Sequence, residues 1–88
     1  MKLKYDFVIN DVAGETVAVS VGDTVGRLNG YIKLNDTGAF IFKMLKKDTT
    51  RDELIKAVLK NYPAATTADA QESVDTLITQ LEKADLLV

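Results

Sequence analysis

Apolar positions recur with a period of two through the first third of the chain and with the helical period after it. Residues 5–12, YDFVINDV, and 15–21, ETVAVSV, are rich in aromatic and β-branched side chains and flank Ala13-Gly14, which predicts a tight hairpin. In the second run Val17, Val19 and Val21 share one face while Thr16, Ala18 and Ser20 share the other. The valine face therefore reads as core and its opposite as nearly polar. The segment GDTVGRLNG, with three glycines in nine residues, reads as a loop or a longer hairpin turn. A third strand follows over about residues 29–34, with Ile32 and Leu34 on one side and Tyr31 and Lys33 on the other.

From Asn35 the pattern becomes helical. Asn35 is placed to cap a helix over about 36–47, Asp36 sits where the dipole favours an anion, and Lys46 and Lys47 complement the far end. Ala39, Phe42 and Leu45, or Ile41 and Leu45, form the inward stripe. Gly38 in the first turn is unfavourable by about 1 kcal/mol relative to Ala, which implies that another group passes close to it. A second helix opens on Thr50-Arg51-Asp52-Glu53, a capping-box sequence, carries Leu54, Ile55, Val58, Leu59 and Tyr62, and stops at Pro63. The third begins near Thr66 or Thr67, with Asp69 in its first turn, and carries Ala70, Val74, Leu77, Ile78 and Leu81 along one face. Three strands followed by three helices predict one α+β domain over residues 1–88, its helices segregated to one side of a small antiparallel sheet. Such a sheet has two edges, and an edge must be covered, blunted or used.

Composition narrows the chemistry. The 88 residues include no Cys and no His, which removes thiol chemistry, disulfides and thiolate or imidazole metal sites. The acidic residues do not follow the EF-hand alternation. Gly22, Gly26 and Gly30 lack the Lys-Ser or Lys-Thr pair of a phosphate loop and read as turns. No cofactor and no metal are expected. No apolar run approaches a membrane span and no secretory signal is evident, which places the chain in the cytoplasm. Charge is uneven: residues 27–60 hold eight basic and four acidic side chains, residues 61–88 one basic and five acidic.

The order strand-loop-strand, then Leu34-Asn35-Asp36-Thr37-Gly38-Ala39 with Phe42, then T-x-x-E-L and V-x-x-L-I-x-x-L-x-x-A-x-L-L, resembles the PqqD-like family of peptide-binding domains, also called RiPP precursor recognition elements. The resemblance runs over residues 5–88. The family often has Glu where Asp36 stands, Trp where Phe42 stands and Gly where Asp85 stands; the last change puts a less favourable residue at the close of the third helix. The resemblance implies a winged helix-turn-helix-like fold. It also implies a non-enzymatic role: binding the leader segment of a ribosomally made precursor peptide and presenting it to a modifying enzyme, commonly a radical SAM protein. In the family the leader adds as a strand beside the third strand, in the groove between it and the third helix. Carried onto this sequence, Asn29, Gly30, Tyr31, Ile32, Lys33 and Leu34 would pair with or border the peptide. Val74, Leu77, Ile78 and Leu81 would supply the facing apolar wall, or serve simply as the core seam of the last helix.

Two other readings fare worse. A winged-helix DNA-binding regulator fits the element order, but residues 66–84 carry four acids and one Lys, the wrong sign for a phosphate surface. Helix two, with Arg51, Lys56 and Lys60, is offset by Asp52 and Glu53. A small enzyme lacks a nucleophile and base, and adjacent Asp52 and Glu53 do not face each other on a helix.

Overall fold

The computed structural model describes residues 1–20 and 31–88. The predicted loop over 22–30, Val21, and Asn29 and Gly30 at the start of the third strand lie outside them. The described elements are β1 (Phe7–Val12), β2 (Glu15–Ser20), β3 (Ile32–Leu34), α1 (Asp36–Met44), α2 (Arg51–Asn61) and α3 (Thr67–Lys83). The strands form one antiparallel sheet in the order β1-β2-β3, and the three helices follow, as the α+β pattern predicts.

The sheet's inner face differs from the expected one. Ile9 pairs with Ala18 and Ala18 with Ile32, so these residues share a face, and all three belong to or pack on the hydrophobic core. Ala18, predicted on the polar side, is fully buried, while Val17 is buried outside the core cluster on the opposite face. Alternation alone favoured the bulkier face. What decides is the partner strand: Phe7 on the Ala18 side meets Phe42 of α1 edge to face, ring centroids 5.2 Å apart. Ala18 is buried in the same core cluster as both rings. The other sheet face keeps Val8, Val12 and Tyr31 largely exposed.

Each helix starts where its cap dictates. Gly38 N–H donates to Asn35 Oδ1 at 2.6 Å, and α1 buries Ala39, Ile41 and Phe42, with Leu45 just beyond its end. α1 ends at Met44, three residues earlier than predicted. The Lys46 and Lys47 amides donate to the carbonyls of Lys43 and Met44, the three-residue spacing that tightens a closing turn. At α2 the capping box is one-sided: Thr50 Oγ1 accepts from Glu53 N–H at 3.2 Å, but the Glu53 carboxylate takes the Thr49 hydroxyl instead. The reciprocal box is at α3, where Thr66 and Asp69 exchange bonds of 3.1 and 3.2 Å.

α3 closes in a Schellman motif. Leu86 N–H reaches Leu81 O, Asp85 N–H reaches Glu82 O, and Asp85 adopts φ 58°, the left-handed position that favours Gly. Buried Leu81 and Leu86 supply the apolar contact that accompanies this motif. The amino-terminal segment then crosses the end of the helical layer, with Leu3 bridged to Leu87 and its amide donating to Leu45 O.

Candidate functional site

The site begins with a hairpin register. Val12 and Glu15 oppose each other across the Ala13-Gly14 turn, whose residues have φ 53° and 82°, the type I′ geometry of two-residue hairpins. Such a turn closes on a hydrogen-bonded pair, and pairs alternate along an antiparallel ladder. Thr16 and Ala18 therefore aim their backbone groups away from β1, toward β3, where they oppose Leu34 and Ile32. Ile32 and Leu34 are thus the β3 residues bonded to β2. Lys33, between them, points its amide and carbonyl off the sheet, on the side away from β2.

A groove of about 300 Å³ lies beside that edge. One bank is Lys33, Leu34, Asn35 and Gly38; the other is α3, through Glu72, Ser73, Thr76, Leu77 and Gln80. These α3 positions follow the spacing i, i+1, i+4, i+5 and i+8 and so share one flank of the helix. A shallower hollow continues along α3 past Thr76 and Gln80 to Lys83. The Asn35 cap orients the turn that brings Leu34 and Gly38 to the groove floor, and the absence of a side chain at Gly38 keeps that floor open.

The predicted site residues divide. Lys33, Leu34 and Leu77 border the groove. Tyr31 is exposed just before β3, and Ile32, the first residue of that strand, is buried. Val74 and Leu81 are fully buried in the core, and Ile78 packs against it, so these three do not line the groove. They hold α3 against the core while its neighbouring flank faces β3. Asn29 and Gly30 lie outside the described residues. The polar bank of Glu72, Ser73, Thr76 and Gln80 was not picked out in the sequence. Its signal is geometric: once Ala70, Val74, Leu77 and Leu81 form the buried stripe, the residues one step around the helix must flank it.

Electrostatics around the groove is mostly paired. Lys33 Nζ stands 3.4 Å from Glu15 Oε1, both exposed. Arg51 of α2 grips Asp75 of α3 with two bonds of 2.6 and 2.9 Å. The hydrogen bond from Arg51 holds the Asp75 carboxyl below its ordinary pKa and raises that of Arg51. Glu72 has no ion pair among the described residues. Among the described residues no cluster of three or more acidic side chains could hold a metal ion, and no helix is long and apolar enough to cross a membrane.

Comparison with known proteins gives two matches. Residues 8–87 match the family model described as coenzyme PQQ synthesis protein D (PqqD). The fold is similar to that of TbiB1 in its complex with the TbiA(beta) leader peptide: the TM-score is 0.69 at 20% identity, over 99% of this chain and 94% of TbiB1. Curated proteins give no match.

Proposed function

The chain belongs to the PqqD family, and on that premise we propose that it captures the leader segment of a ribosomally made precursor peptide by strand addition at β3 and presents it to a modifying enzyme, commonly a radical SAM protein. We place this exchange in the cytoplasm, where precursors are translated. The single observation that carries the reading is the outward backbone of Lys33 on β3, an edge strand of the described sheet, facing the groove that α3 walls off. TbiB1, which shares the fold, binds a leader peptide.

Strand addition draws affinity from main-chain hydrogen bonds and specificity from pockets for alternate side chains. It calls on no reacting side chain, consistent with a role as a binding module and not a catalyst. In this reading Tyr31, Ile32, Lys33 and Leu34 receive the peptide, and Leu77 supplies the apolar contact from α3. Ordering a disordered leader costs about 2–5 kcal/mol, so a net affinity near micromolar, roughly −8 kcal/mol, is the scale to expect. Duplex DNA fits less well, because Arg51 is tied to Asp75 and the exposed face of α3 is acidic.

The test is a pair of substitutions at one position, titrated with the leader of a precursor encoded beside this gene. Lys33→Pro removes the outward amide while leaving the β2–β3 bonds of Ile32 and Leu34 in place, a position where edge strands tolerate Pro. Lys33→Ala removes only the side chain. Binding retained in Lys33→Ala and lost in folded Lys33→Pro supports strand addition. Equal binding by both variants contradicts it.

A further inference from the structure

We propose that Glu72 is a specificity-determining residue of this groove, and that the chain selects leaders carrying a Lys or Arg two positions from an apolar anchor. The inference rests on the strand-addition reading and goes beyond it by naming the peptide chemistry.

Among the described residues, the groove has an apolar floor and one charge without an ion pair. Leu34, Gly38 and Leu77 form the floor. Of the two charged lining residues, Lys33 is partnered by Glu15, whereas Glu72 forms no ion pair among the described residues. The nearby acids are occupied: Asp75 by Arg51 and Asp69 in the Thr66 capping box. The lining beside Glu72 is Ser73, Thr76 and Gln80, neutral groups that neither compensate its charge nor compete for a cation.

Spacing turns this into a motif. An added strand directs alternate side chains to the face shared by Ile32 and Leu34, the side on which α3 lies. Residues i and i+2 of a strand are about 6.6 Å apart. Leu77 and Glu72 are five positions apart on α3, roughly 7.5 Å of helical rise. One strand repeat therefore matches the axial offset between Leu77 and Glu72; the two also lie about 140° apart around the helix, a lateral gap that only a long side chain such as Lys or Arg covers. An apolar side chain seated on the floor brings a long basic side chain two positions away within reach of Glu72, with its methylene stem along Thr76 or Ser73.

The test is selection of displayed random peptides against the full chain and against Glu72→Lys, with Glu82→Lys as a control carrying the same charge change elsewhere on α3. Positions 72 and 82 are exposed helix sites, where substitution ordinarily costs little stability. Selected peptides are first sorted by whether they shift the amide resonances of Lys33 and Thr76. Among these groove binders, wild type should enrich Lys or Arg two positions from an apolar residue, Glu72→Lys should enrich Asp or Glu there, and Glu82→Lys should behave as wild type. Glu72→Gln should weaken a Lys-bearing peptide about two- to fivefold at low salt, the range of an exposed ion pair. Groove binders with no basic preference, or a preference moved equally by Glu82→Lys, overturn the role of Glu72 and leave strand addition standing. Should no selected peptide move the Lys33 amide, both readings fall together.

Discussion

The Gly38 amide donates to Asn35 Oδ1 at 2.6 Å, and a Cβ on Gly38 would lie 2.9 Å from that same oxygen and 3.7 Å from Leu34 Cδ2. The glycine thus serves the helix cap and the groove floor together. Replacing Gly by Ala in a helix ordinarily gains about 1 kcal/mol; here the methyl displaces the cap, which is worth about 0.5–2 kcal/mol. Gly38→Ala should therefore change stability by between a gain of about 0.5 and a loss of about 1 kcal/mol, and should weaken leader binding by filling the floor. Denaturant unfolding and a peptide titration read the two effects separately; a gain of a full kcal/mol would mean that the cap survives the methyl.

Among the described residues, two non-glycine residues hold left-handed backbone, Ala13 at φ 53° and Asp85 at φ 58°. Both sit at positions that Gly or Asn occupies without strain, the hairpin turn and the helix C′ site. Ala13→Asn and Asp85→Gly should each stabilise by about 0.5–1 kcal/mol, raising Tm by a few degrees. Asp85→Gly also gives up the exposed Lys4 ion pair, a small loss, so its gain should be the smaller of the two.

The Arg51–Asp75 pair makes a signed pH prediction. Because the folded carboxyl titrates below its unfolded value, its contribution is fully present above the ordinary Asp range and fades as pH falls through the depressed folded pKa. Asp48, held low by its hydrogen bond from the amino-terminal ammonium, acts in the same direction. Asp75→Asn should flatten the acid limb of a stability-versus-pH curve and lower its neutral plateau by the same amount, a small one since the pair is half exposed. A limb of unchanged slope would show that the pair is dispensable.

The sequence revealed elements more readily than faces. Asn35, Thr50 and Thr66 marked the helix starts because capping is local chemistry, and Ala13-Gly14 marked the hairpin for the same reason. The sheet's inner face was misread because ETVAVS offers two alternating sets, and only the contact of Phe7 with Phe42, distant in sequence, decides between them. Likewise the stripe of Val74, Leu77 and Leu81 was visible as apolar but not as core or wall. That choice depends on the rotation of α3 against β3, which places Glu72, Ser73, Thr76 and Gln80 at the groove and turns Val74 and Leu81 inward. The end of α1 at Met44 was likewise hidden, since its closing bonds involve no distinctive residue.

The central claim, that a peptide adds to the sheet at β3, is tested most directly at one atom, the backbone amide of Lys33. Site-resolved hydrogen exchange on the free chain and on the chain saturated with leader peptide measures it. The account predicts fast exchange at Lys33 in the free protein and strong slowing on binding, with Ile32 and Leu34, already bonded to β2, changing much less. A Lys33 amide that still exchanges fast at saturation would contradict strand addition.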